Sequence, residues 1–183
     1  MSVENISVTG VPKFLGGFIY GMTAENHLEE IEACYQGGDL MYEEINFAIS
    51  ELHKDGWDNT TQAILEFAIV ALQIPQALHT CKGMGDDIAA IEEWASIFKD
   101  PAALAATITK HMALHRKAIK ADIASDKALW QAGQFWQAGI TTADLATLAI
   151  GPINPVYPSY TNQVNQVGLS AMAIPDFVAG LVF

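Results

Sequence analysis

The sequence predicts an all-α protein: a bundle of five or six helices over residues 11–151, followed by an extended, apolar C-terminal tail over residues 152–183. Three observations predict it. Ala, Leu, Ile, Glu and Gln dominate the first 151 residues, apolar residues recur at intervals of three and four, and strand signals are scarce before residue 152.

The first helix is expected from about Val11 to Tyr35, with Phe14, Phe18, Ile19, Met22, Leu28 and Ile31 on its apolar positions and Gly37-Gly38 as its stop. Asp39 then caps a second helix, Leu40 to Lys54, which Gly56 ends. Asp58 or Asn59 starts a third that is apolar around most of its circumference (Ile64, Leu65, Phe67, Ala68, Ala71, Leu72). Such a helix belongs at the centre of a bundle, and Pro75 should kink it. A fourth follows from about Asp86 to Phe98. Asp100-Pro101, an N-cap aspartate with proline at the first helical position, opens a fifth that continues to about Ala124. The sixth runs from about Asp126 to Ile150 and stops at Gly151-Pro152.

That sixth helix holds WQAGQFWQAG, residues 130–139, in which one tetrad occurs twice. On a single helix of about 100° per residue the two tryptophans stand about 120° apart, so the copies do not share a face. Trp136 is expected to look inward and Trp130 to sit on the glutamine side, and the stretch reads as close helix packing. No copy recurs elsewhere at the 20- to 50-residue period of a repeat array.

Composition excludes several functions. Nine basic residues face 21 acidic ones, for a net charge of −12, and Arg116 is the only arginine. Phosphate backbones are held by clustered Lys and Arg, and the nearest approach to a cluster here is HRKAIK at 115–120, so nucleic acid and anionic membrane surfaces are not expected partners. The longest low-charge stretches, 139–153 and 167–183, fall short of the roughly 20 residues that a transmembrane helix needs. The opening MSVENISVTG does not read as a secretory signal. The chain is 51% hydrophobic and only 16% charged, where about a quarter is usual, so part of its apolar surface is expected to be covered in a homo-oligomer or a larger protein assembly.

Cys34 and Cys81 both lie near expected helix ends and both precede glycines. They suffice for one disulfide, or they are two buried free thiols. Asn5-Ile-Ser and Asn59-Thr-Thr are candidate glycosylation sites. His111 and His115 stand at i and i+4 with Asp122 on the same stripe, but a metal would need ligands from another helix, and no Glu-x-x-His pair accompanies them. They are expected to be polar residues satisfied between helices, without metal. His27, His53 and His79 are scattered singly. The acid pairs Glu29-Glu30, Glu43-Glu44, Asp86-Asp87 and Glu92-Glu93 read as solvated faces, because helical neighbours point about 100° apart. Neither a nucleophile elbow nor a glycine-rich phosphate loop occurs, so no active-site constellation is expected.

After Gly151 the character changes. Residues 151–183 hold four of the seven prolines and one charged residue, Asp176. Val164, Val167, Leu169, Met172, Ile174, Phe177, Val178, Leu181, Val182 and Phe183 are large and apolar, and exposed apolar patches of this extent mark interfaces. The proline-rich start, Pro152 to Pro158, reaches about 20 Å when extended, enough for an arm that docks on a neighbour.

FLGGFIYGM, NHLEEIEACYQGG, IPQALHTCKGMGDDIAAIEEWASIF and WQAGQFWQAGITTADLATLAIGP together resemble a family of small, usually secreted, two-cysteine helical proteins of ciliates and other protists, over about residues 14 to 152. The resemblance implies a secreted or organelle-lumenal bundle with Cys34 bridged to Cys81, and it implies no reaction. The tail after Pro152 has no counterpart in that family.

The sequence therefore predicts a non-enzymatic structural or interaction protein without cofactor, a subunit of an extracellular or lumenal assembly with its tail docked on a neighbour. The alternative is a carrier that encloses an apolar, lipid-like ligand between helices, lined by Phe14, Phe18, Phe67, Phe135 and Trp136.

Overall fold

A computed structural model describes residues 5–35 and 38–153. The expected tail beyond Ile153, with its interface residues Val164 to Phe183, lies outside the described residues, as do Gln36 and Gly37. The described residues are helical and carry no strand: α1 Gly10–Thr23, α2 Leu28–Cys34, α3 Gly38–Leu52, α4 Trp57–Ala77, α5 Gly85–Ala95, a 3-10 turn Ser96–Lys99, α6 Pro101–Leu114, α7 Arg116–Gln131 and α8 Phe135–Ile150.

The all-α class holds, but the expected five or six helices are eight: three of the expected segments are each broken once, and the expected boundary between Ala124 and Asp126 is absent because α7 runs through it. The first breaks after Thr23. Ala24 turns left-handed at φ 63°, the Thr23 hydroxyl donates to the Ile19 carbonyl and accepts the Glu25 N–H, and Asn26 Oδ1 accepts the Leu28 N–H that opens α2. Side chains of Thr and Asn offer the backbone local partners in place of helical ones, and here they are used to end one helix and start the next. The second break falls at His115, between α6 and α7, where neither Gly nor Pro marks it.

The third break runs through WQAGQF. Gly133 is left-handed at φ 68°, its N–H donates to the Trp130 carbonyl, and the Gln134 N–H reaches back to the Leu129 carbonyl. That pair of bonds is a Schellman motif, which closes a helix on a left-handed residue best filled by glycine. Because the helix stops there, the expected placement of Trp130 on the glutamine side is wrong. Trp130 ends α7 fully buried, edge-on to Phe14 (5.7 Å between centroids) and to Phe135 (5.2 Å), whereas Trp136 is half-buried and tilts over Tyr20 at 5.5 Å.

Packing centres on α1 against α8. A Cβ on Gly17 would fall on the Trp136 carbonyl oxygen, and one on Gly139 would fall on the Phe14 carbonyl oxygen and 2.7 Å from the Phe18 nitrogen. Two glycines thus let the backbones meet, and the second tetrad reads as helix packing, as expected. α3 and α4 form a hairpin, and α7 and α8 form another joined at Gly133. Asp100 caps α6 as its sequence predicts, Oδ1 accepting the Ala103 N–H at 3.1 Å. α4 runs through Pro75, which stands in its last turn.

Cys34, at the end of α2, and Cys81, after α4, stand at disulfide distance with Cα atoms 5.3 Å apart, inside the usual range of about 4.4–6.8 Å. The Thr80 hydroxyl donates to the Cys34 carbonyl at 3.2 Å beside them. His27, just before α2, pairs with Asp87 in the first turn of α5. No helix among the described residues is long and apolar enough to cross a membrane.

Candidate functional site

Residues 53–56, the turn of the α3–α4 hairpin, bring the start of α4 to the flank of α7. The two helices leave a cleft of about 570 Å³ lined by Lys54, Asp55, Gly56, Trp57, Thr60, Arg116, Lys120, Ile123, Ala124 and Lys127. Four of these are cationic and one is acidic, in a chain where acids outnumber bases more than two to one. The spacing explains the gathering: Arg116, Lys120, Ile123 and Lys127 recur at three and four and therefore share one face of α7.

Trp57 organises the cations. The Arg116 guanidinium carbon lies 5.0 Å from its ring centroid and Lys120 Nζ 5.6 Å, both within cation–π range. No ion pair of Arg116 or Lys120 with a carboxylate occurs among the described residues. Lys54 pairs with Glu51, and Lys127 Nζ donates to the His53 carbonyl at 3.1 Å. Two helix N-termini open nearby, α4 behind Gly56 and α7 behind His115, and neither has a side-chain cap, so their first N–H groups add positive potential. The arrangement suits an anion. It offers no poised nucleophile: Thr60, the cleft's hydroxyl, is buried and donates to the Gly56 carbonyl.

Behind the cleft lies a second polar group. Asp126 is fully buried on α7, with Oδ2 3.2 Å from His53 Nε2 and Oδ1 accepting the Thr142 hydroxyl at 3.2 Å. Burial pushes the Asp126 carboxyl upward, and the His53 and Thr142 hydrogen bonds oppose that rise. The His53 side chain is only 4% exposed, so this pair is sealed from the cleft rather than facing it. One turn earlier, Asp122 has its carboxyl pushed up to about 6, first by burial and then by the carboxylates of Asp144 and Asp126.

The residues singled out from sequence fall elsewhere. Phe14, Phe18 and Phe67 are brought together in the core, Phe14 stacked on Phe67 at 6.2 Å. Phe18 and Phe67 border a void of about 10 Å³, roughly the room of one water, while Phe135 and Trp136 pack on Trp130 and Tyr20. The five aromatics thus share no lumen among the described residues. His111 and His115 stand edge to face at 6.2 Å across the α6–α7 break, and burial, ahead of the His115 and Lys110 charges, lowers the His111 pKa. Among the described residues no three potential metal ligands converge. Asn5 is exposed. Asn59 is half-buried in the first turn of α4, donating to the Asp55 carbonyl at 2.8 Å.

The cleft is not legible in the sequence. HRKAIK is the chain's nearest approach to a basic cluster, but Trp57, which gives it a floor, lies a third of the chain away. No protein-family model, no curated protein and no solved structure matches this chain.

Proposed function

We propose that the protein acts by binding rather than by turnover, as a helical bundle of an extracellular or organelle-lumenal compartment whose α4–α7 cleft receives an anionic ligand. The observation that carries this reading is the convergence of Lys54, Arg116, Lys120 and Lys127 on one open cleft over Trp57, in a chain of net charge −12. The mutual repulsion of clustered cations is relieved when an anion binds among them. The sealing of His53 and Asp126 away from that cleft supports binding over acid–base chemistry. The cysteine pair at disulfide distance supports an oxidising compartment.

Calorimetric titration with inorganic tripolyphosphate tests it. Binding should weaken steeply as salt rises, and the exposed-residue variants Arg116→Glu and Lys120→Glu should abolish it without lowering the melting temperature. Absence of binding at low salt overturns the reading.

Membership of a larger assembly is a second reading. Leu40 and Phe47, 59% and 49% exposed, lie seven residues apart and so on one flank of α3. Light scattering on the full chain, with Phe47→Glu beside it, decides: a monomer at high concentration removes this reading.

A further inference from the structure

The cleft is far larger than an inorganic anion, and apart from Asp55, Gly56 and Thr60 its lining is of two kinds. Lys54, Arg116, Lys120 and Lys127 supply charge, whereas Trp57, Ile123 and Ala124 supply apolar surface, and about 570 Å³ lies within the range of sites for drug-sized molecules. The two kinds are interleaved at the indole. Arg116 and Lys120 hold their charged heads 5.0 and 5.6 Å from the Trp57 centroid, so an anionic group that meets those heads brings whatever it is attached to against the indole and Ile123. A bare anion would leave that apolar wall and most of the volume to water. An uncharged apolar molecule would cover the cationic heads and desolvate them without a partner, which is unfavourable.

Resting on the anion-binding reading above, we infer that the ligand of the α4–α7 cleft is an organic anion, an apolar body bearing a phosphate, sulfonate or carboxylate head. The head sits on Arg116, Lys120 and Lys127 with the uncapped N-termini of α4 and α7 near it, and the body lies against Trp57, Ile123 and Ala124. The alternative of a carrier is thereby moved from the filled core to a surface cleft, and its ligand is given a charge.

The body can be a flat ring or an alkyl chain, and three probes with one head group separate the sources: inorganic phosphate, naphthyl phosphate and octyl phosphate, titrated calorimetrically into the full chain. At least one organic phosphate should bind at least about tenfold more tightly than inorganic phosphate, a factor that one stacking or burial contact supplies. A preference for naphthyl phosphate identifies a ring, and a preference for octyl phosphate identifies a chain; either supports the inference. Ile123→Ser and, separately, Trp57→Leu should shrink that advantage severalfold, and unchanged circular dichroism certifies that the variants are folded. Equal affinity for all three probes overturns the organic ligand and leaves the anion reading standing. Binding of none of them, nor of tripolyphosphate, overturns both.

Discussion

The Phe14 carbonyl oxygen occupies the place that a Cβ on Gly139 would need, and the Phe18 nitrogen stands 2.7 Å from that same point. Backbone cannot step aside as a flexible side chain can, so Gly139→Ala must push α8 off α1. We expect a loss of about 3 kcal/mol or more in urea denaturation, at the upper end of overpacking costs. Gly133→Ala serves as the contrast. It meets no atom within 4 Å but sits at φ 68°, so it should cost only about 1 kcal/mol. Equal costs at the two positions would show that the α1–α8 approach is looser than described.

Cys34 and Cys81 are expected to be oxidised in the native protein. Intact mass should fall short of the reduced mass by two hydrogens. With a sequence separation of 47, the chain-entropy estimate gives about 4 kcal/mol of stability, which the double variant Cys34→Ser with Cys81→Ser should forfeit. Ready alkylation of both thiols in the native, unreduced protein would contradict the bridge and weaken the lumenal assignment with it.

Stability should decline as pH rises from 4.5 to 7.5. Asp122, with its carboxyl pushed up to about 6, holds its proton more tightly in the fold than in the unfolded chain, where a value of about 3.9 applies. The stability this contributes is full below about pH 4 and is lost as pH climbs through 6. Asp122→Asn should flatten the profile and raise stability at pH 7.5 by on the order of 1 to 2 kcal/mol, less than the whole shift implies because solvent partly screens the group. A melting temperature independent of pH over this range, in the native chain, refutes the assignment.

Asp126→Ala leaves His53 and the Thr142 hydroxyl buried without their shared acceptor. We expect about 3 to 5 kcal/mol of destabilisation, the usual result of breaking a buried pair from one side. Asp126→Asn keeps an acceptor oxygen and should lose less, about 1 to 2 kcal/mol. If the alanine variant unfolds at the same urea concentration as the native chain, the pair does not hold α7 to the α3–α4 turn.

What the sequence made legible was local. Helix content follows from apolar spacing, and the Asp100-Pro101 start of α6 from cap chemistry confined to four residues. The breaks were harder. Gly133 stands within an apolar stripe that runs on across it, which masks the break, and the break is what turns Trp130 into the core. At His115 no residue type announces a break at all; α7 turns there to lie along α8, a decision of tertiary packing that overrides propensity. The cleft was illegible for a related reason: α7 shows its row of cations in sequence, but the indole beneath them arrives from another hairpin.

Once bridged, Cys34 and Cys81 reroute tension. A pull on the two ends of the chain would pass from α2 straight to the segment before α5, bypassing the loop that holds α3 and α4, which shortens the extensible contour by about 160 Å. Trp57 lies inside that shielded loop, while Arg116, Lys120 and Lys127 lie outside it. Mechanical load would therefore part the α7 cations from the indole floor, while the α3–α4 hairpin, and Lys54 with it, stayed tethered at both ends.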